Sequence, residues 1–305
     1  MSVLERKELV SSTIIDTKQK LKSEQRRLLF QRIKSNKAIV TGGIIILLLS
    51  LIALLGPLLV PHTPYEMEVT NRLKAPSSEH LLGTDNFGRD LLSRIAYGAR
   101  ISLGVGMAVA FFACLFGLII GLLASYYQLL DNILMRICDG LMAIPGVLLA
   151  IALMAALGPL QQNVIIALTI VFIPNVARVV RSTALIIREE TYIEAIKSQG
   201  ASTWRIIALH IAPNTISPLV VQASFIFADA IITEAALSFL GAGIPAPDPS
   251  WGNILYDGKV VIFNAWWMTV FPGILIVLSV LGLNLLGDGL RDLIDPHITK
   301  GKKRK

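Results

Sequence analysis

The 305-residue chain is 54% hydrophobic and only 16% charged, whereas soluble domains carry about 25% charged residues, so a soluble globular fold is excluded. Its net charge of +7 comes from Lys and Arg clustered beside apolar runs rather than spread over one folded face, which argues against a nucleic-acid surface. Cys114 and Cys138 fall within or at the edge of apolar runs and fit neither a disulfide framework nor a zinc-ligand spacing.

Residues 1–37 read as a basic tail. Within it Leu21, Leu28, Leu29, Phe30 and Ile33 stand among Lys and Arg, the pattern of a short amphipathic helix lying on a membrane surface; a disordered basic tail is the alternative. A bilayer span needs roughly 20 apolar residues. The chain offers six such runs, near 38–60, 102–124, 139–158, 163–180, 215–241 and 262–287. They are apolar on every face, unlike the alternating strands of a membrane barrel, so the predicted fold is all-α. The first run is too long for a signal peptide core and is expected to be retained.

Charge sets the expected orientation. Arg6, Lys7, Lys18, Lys20, Lys22, Arg26, Arg27, Arg32, Lys34 and Lys37 precede the first run and place the N-terminus in the cytoplasm. Six crossings return the C-terminus to the same side, where the basic tail 291–305 agrees. The 61–100 loop is then external, although it holds Arg72, Lys74, Arg89, Arg94 and Arg100. The second outer loop, 241–261, is stiffened by Pro245, Pro247 and Pro249 and carries Trp251, so it offers a surface to an external partner or a cap over a pore. In the Gly-Thr-Asp-Asn-Phe-Gly-Arg-Asp block at 83–90, turn and helix-start chemistry accounts for the aspartates and glycines, and no metal is assigned.

The chain has no phosphate-binding GxxxxGK[ST] loop, no HExxH, no GxSxG and no Gly-rich dinucleotide turn. His62, His80, His210 and His297 are scattered along the chain, so no catalytic cluster is evident. The polar insert within 182–213, in a core of 101–290, is more informative. Acidic Glu189 and Glu190 with Thr191 open a helix, Gly200 offers a stop or a close approach, and a second helix follows from Ala201 to Ile211. Trp204, Ile207 and Ile211 are expected on one side of that second helix, with Pro213 ending it. Such a helix fits a partner's groove, or packs only on its own bundle.

Here the chain resembles a family. Glu194-Ala195-Ile196, then Gly200, then His210-Ile211-Ala212-Pro213 is similar to the coupling motif of permease subunits in binding-protein-dependent ATP-binding-cassette importers, with Ile196, His210 and Ala212 departing from it. The blocks at 76–103, Leu237–Gly241, Pro249–Gly252 and Asn284–Pro296 resemble the C-type permease of dipeptide, oligopeptide and nickel importers, over residues 35–297. The resemblance implies a type I importer permease with a cytoplasmic coupling helix, sited in a bacterial inner membrane. The implied partners are a B-type permease, two cytoplasmic ATPases and an extracytoplasmic substrate-binding protein. No cofactor is expected on this chain; ATP with magnesium is used by the partner subunits.

The residues expected to meet an ATPase are Glu194, Ala195, Gly200, Ala201, Ser202, Trp204, Ile207 and Pro213. Asp229 and Glu234 lie in the fifth apolar run, where an ionised group costs about 2.5–3.5 kcal/mol at the helix centre. They are candidates for the translocation path, with a structural bond to a neighbouring helix as the alternative for Glu234. A peptide is the expected cargo; nickel, a metal chelate or glutathione are alternatives, and an ion-gradient transporter would need paired midplane charges and a repeat that the chain does not display.

Overall fold

A computed structural model describes residues 30–294 and, ahead of them, residues 21, 23, 24, 27 and 28. Most of the basic tail positions, including Arg6, Lys7, Lys18, Lys20, Lys22, Arg26 and Lys300 onward, lie outside the described residues, as does Leu29 of the amphipathic pattern. Leu21, Leu28, Phe30 and Ile33 are helical and exposed.

Among the described residues the fold is helical, with one isolated bridge between Thr84 and Asp90. α1 spans Lys37–Leu59 and α2 spans Leu91–Tyr126. Next come α3 at Gln128–Met142, α4 at Gly146–Leu157, α5 at Gln161–Arg188 and α6 at Thr191–Ser198. α7 is one helix over Thr203–Phe239, and α8 (Trp251–Val260) and α9 (Trp267–Ile294) complete the order. α1, α2, α5, α7 and α9 are each long and apolar enough to cross a bilayer; α3 and α4, bent by 95° at their junction, make a sixth when the pair is counted as one broken span.

The helices run between two ends. At one, residues 60–90 and 240–266 form a cap; at the other, α6 makes an elbow between α5 and α7. α2 and α5 lie side by side, because Ala113, Gly117 and Gly121 recur every fourth residue and let the backbones close up. A Cβ on Gly117 would stand 2.4 Å from Val176 Cβ, and one on Gly121 would stand 2.7 Å from the Ala177 carbonyl oxygen. Arg188 Nη1 donates to the Ser125 carbonyl at 2.8 Å and ties the elbow ends of the two helices. α1 is fixed to α9 where Gly42 faces the Gly282 carbonyl.

The helix bounds depart from expectation at three places. The second helix was expected at 102–124 and begins instead at Leu91, which shortens the external loop expected at 61–100. Asp90 caps it, its Oδ2 accepting from Ser93 N at 2.8 Å, and Arg94 is buried rather than looped out. The third, expected at 139–158 as one run, breaks between Met142 and Gly146. Pro145 disfavours helical backbone at Ile144, and α3 is amphipathic, with Asp131 and Asp139 turned to Arg181 and Arg178 of α5. Around the polar insert of 182–213, where a helix, a Gly turn and a second helix are expected, only the bounds move: the preceding span, expected at 163–180, continues to Arg188, and the second helix starts at Thr203 and runs on into the next span.

Candidate functional site

The elbow is built from the backbone outward. α5 ends at Arg188, Glu189 follows it as the cap residue, and Glu190, in extended conformation, precedes the first turn of α6. Gly200 sits at φ +82°, where an L side chain is disfavoured. That left-handed step closes α6: Gly200 N donates to the Lys197 carbonyl at 3.0 Å and Ala201 N to the Ile196 carbonyl at 3.3 Å. Ile196 and Ala201 each pack against the core on the inner side of this stop. Ser202 starts the next helix, its Oγ accepting from Arg205 N at 3.4 Å.

Ile193 is buried beneath α6, with Ile206, Ile207 and Ile211 beneath the start of α7. The opposite side of α6 is free: Tyr192, Glu194, Ala195, Lys197, Ser198, Gln199 and Gly200 are exposed. Ser202 and Trp204 continue this surface, Trp204 being 69% exposed. The expected contact face therefore needs two corrections. Ile207 is 3% exposed and belongs to the core, and Ala201 is half-buried, so neither shares a free side with Trp204. Pro213 does not end a short helix; it lies early in a continuous one. A π turn at Ile207–Ile211 widens the helix just ahead of the ring, and Asn214 Nδ2 donates to the His210 carbonyl at 2.6 Å. The Gly200 stop was legible in the sequence, but the continuity through Pro213 was not.

The two acidic residues of α7 part company. Asp229 is exposed on the helix surface. Glu234 is 0% exposed, so it faces no open path and is removed from the candidate lining residues. Ser238 Oγ donates to Glu234 Oε1 at 2.8 Å, and Ser102 Oγ to Oε2 at 3.3 Å. Those hydroxyls in turn accept from Ile244 N and Trp251 N, both at 3.1 Å. Because each hydroxyl has one proton to give, the carboxylate orients both and so fixes the 241–251 segment against α2 and α7.

At the cap, the 83–90 block forms a buried polar hub. Asp85 Oδ1 accepts from Phe87 N and Arg89 N at 2.8 and 2.9 Å, and its Oδ2 meets Arg89 Nε at 2.6 Å. Asp90 Oδ1 meets His80 Nδ1 at 3.0 Å, and Trp267 Nε1 donates to the Thr84 carbonyl at 3.0 Å, joining the cap to α9. Turn and helix-start chemistry thus accounts for this block. The sequence reading missed a second polar cluster, in which Asp131, Arg136, Asp139, Arg178 and Arg181 line an open cavity of ≈ 510 Å³ between α3 and α5. An aspartate spacing of eight on α3, together with two arginines three apart on α5, was the available signal.

Comparison with known proteins accords with this architecture. Residues 113–300, more than half of the chain, match the family described as "Binding-protein-dependent transport system inner membrane component". Residues 25–76 match "N-terminal TM domain of oligopeptide transport permease C". The chain is 48% identical over 270 residues to the dipeptide transport system permease protein DppC of Alkalihalophilus pseudofirmus, covering 88% of this chain and 89% of that one. It is 41% identical over 265 residues to the probable D,D-dipeptide transport system permease protein DdpC of Escherichia coli, covering 87% and 89%. A chain of the inward-facing MetNI methionine ABC transporter superposes with a TM-score of 0.55 at 23% identity, over 65% of this chain and 95% of that one, a likeness of fold. The chain is a multi-pass permease belonging to the family of inner-membrane components of binding-protein-dependent transport systems.

Proposed function

We propose that this chain is one of two permease subunits of an ATP-driven importer of di- and oligopeptides. The observation that carries the reading is its likeness, at 41–48% identity over nearly nine-tenths of the chain, to permeases named for peptides and dipeptides. A second, B-type permease completes the translocation path, and an extracytoplasmic binding protein delivers the peptide to the cap. The elbow lies in the cytoplasm, in keeping with the basic residues ahead of α1. Two ATPase subunits there bind and hydrolyse ATP, and this chain takes no catalytic part.

Coupling follows from the shape of the elbow. An ATPase surface seated on Glu194, Ala195, Gly200, Ser202 and Trp204 moves α6 as a rigid body, because Ile193, Ile196 and Ala201 anchor it to the core. α7 is carried with it, since four residues separate the two helices. Asp229, exposed on α7, lines the path and attracts a peptide's ammonium group. The domain reading follows: a tail to 37, an outer cap, a permease core holding the elbow, and a basic C-terminal tail.

The test is reconstitution of the complete importer in proteoliposomes with a radiolabelled dipeptide. Uptake is expected to require ATP and the binding protein and to survive collapse of the proton gradient. Uptake without any ATPase subunit, or driven by the gradient alone, refutes the proposal. A second reading is favoured by a 43% identical relative over 274 residues, the glutathione transport system permease protein GsiD of Pectobacterium atrosepticum. Identifying the ligand retained by the cognate binding protein decides between the two cargoes.

A further inference from the structure

A cavity of ≈ 360 Å³ opens in the cap, walled by the 83–94 segment, Pro159, the 241–247 loop and α8. Arg89 and Arg94 form one wall, and both are almost fully buried. Each turns Nε toward the same oxygen, Asp85 Oδ2, at 2.6 and 3.5 Å, so the two guanidinium groups lie next to each other. Their remaining bonds are long: Arg89 Nη2 meets Asp257 Oδ2 at 3.4 Å, and Arg94 Nη1 meets the Pro64 carbonyl at 3.4 Å. Among the described residues, Arg89 Nη1 and Arg94 Nη2 make no hydrogen bond. Two adjacent, buried cations with unused donors are an arrangement that a further carboxylate satisfies, because the guanidinium fork matches carboxylate geometry.

The rest of the cavity narrows the ligand. Asp257 stands beside the arginines and offers an acceptor for a cation, whereas Phe87, Ile244 and Pro245 are apolar. Arg89 and Arg94 are balanced by Asp85 and Asp257, so a zwitterion enters without adding net charge, unlike a simple anion. The volume sits at the lower end of ligand pockets, about 300–1,000 Å³, which suits a molecule of dipeptide size and not a folded protein element. We infer that this cavity binds a small zwitterion of dipeptide size, with Arg89 and Arg94 holding its free carboxylate and Asp257 its ammonium group. The inference rests on the peptide-importer reading and adds to it a recognition point on the permease itself, ahead of the path along α7. Ser238 and Gly241, which also line the cavity, place the site at the end of that helix.

The assembled importer in nanodiscs, without its binding protein, is titrated with radiolabelled Ala-Ala and challenged with Ala-Ala amide, which lacks the carboxylate. Saturable Ala-Ala binding is expected, with the amide weaker by more than about tenfold, the effect of losing charge-assisted hydrogen bonds. Arg94→Gln is expected to abolish that preference. Because Arg94 also packs the cap, a second variant, Ala246→Trp, fills the cavity from an exposed wall position and leaves the ion pairs in place. It is expected to weaken Ala-Ala binding about tenfold in a complex that still assembles, judged by its size-exclusion profile. Equal binding of Ala-Ala and its amide, or unchanged binding in Ala246→Trp, overturns the inference. So does loss of binding-protein docking in Ala246→Trp with Ala-Ala binding intact, which would assign the cavity to a protein carboxylate. Any of these results leaves the proposed function standing so long as the wild-type importer takes up peptide.

Discussion

Gly200 separates the cost of a backbone turn from the cost of a blocked partner. It lies at φ +82°, and a Cβ built there meets nothing within 4 Å, so a substitution stresses the backbone without striking this chain. An L residue in that region costs roughly 1–2 kcal/mol, and Asn less than most because its side chain bonds locally. Gly200→Ala therefore shifts the balance between the closed and unwound turn by a factor of about 5–30. Gly200→Asn is expected to recover most of that loss, while Gly200→Val combines strain with bulk. Hydrogen exchange at Ala201, whose amide holds the second closing bond, reads the turn; ATP-driven dipeptide uptake in proteoliposomes reads the coupling. If the elbow seats an ATPase closely, Gly200→Asn keeps its turn protected yet loses uptake, with ATP still hydrolysed. Wild-type uptake in Gly200→Val would refute the reasoning, since neither strain nor bulk would then matter there.

Trp204→Ala is expected to change thermal stability by no more than about 0.5 kcal/mol while lowering uptake, whereas Ile207→Ala is expected to cost about 2–5 kcal/mol because its side chain is buried. Thermal unfolding paired with transport distinguishes the two. Gly117→Ile forces a side chain into Val176 and is expected to destabilise the α2–α5 contact by about 1–3 kcal/mol, measured as a lower Tm in detergent. Glu234→Ala leaves two serine hydroxyls without their acceptor, a loss of about 1–3 kcal/mol, and is expected to speed hydrogen exchange at Ile244 and Trp251; Glu234→Gln keeps one acceptor and is expected to fall between. Burial pushes the Asp257 carboxyl above its ordinary 3.8, against the pull of Arg94 and Arg89. The folded chain then holds that proton more tightly than the unfolded one, so stability falls as pH rises from 3.8 through the raised value and returns on acidification. Asp257→Asn is expected to flatten that part of the Tm–pH profile, and an unaltered profile would refute the assignment.

Run length was enough to find the five long spans, because they are apolar on nearly every side; the bent pair α3–α4 was only half legible, since α3 is amphipathic and carries Asp131 and Asp139. It misplaced the start of α2, since the uninterrupted apolar run begins only after Arg100. Arg94 is instead absorbed by Asp85 and the Pro64 carbonyl, contacts that span distances no local pattern reveals. The Gly200 stop was visible because a left-handed residue has a local cause. Pro213 misled for the opposite reason: its usual effect is to break a helix, and here a π turn and Asn214 accommodate it. Trp204 and Ile207 are three residues apart and were read as neighbours on one stripe, but the elbow turns Ile207 inward. The arginine cavity was out of reach, because Arg89, Arg94 and Asp257 meet only once α8 has folded back against the cap.

The helix from Thr203 to Phe239 spans 37 residues, about 55 Å at 1.5 Å per residue, with a π turn near its start and Pro218 within it. One end adjoins the elbow surface; the other hands directly into the loop that walls the arginine cavity. A tilt of this helix from below that carried through to Phe239 would also change the shape offered above. If the proposed ATPases seat on the elbow, reciprocity requires that a solute favouring one arrangement of the upper loop bias nucleotide-dependent closure beneath by the same free energy. Occupancy on one face of the bilayer would then be legible on the other, with no separate messenger between them.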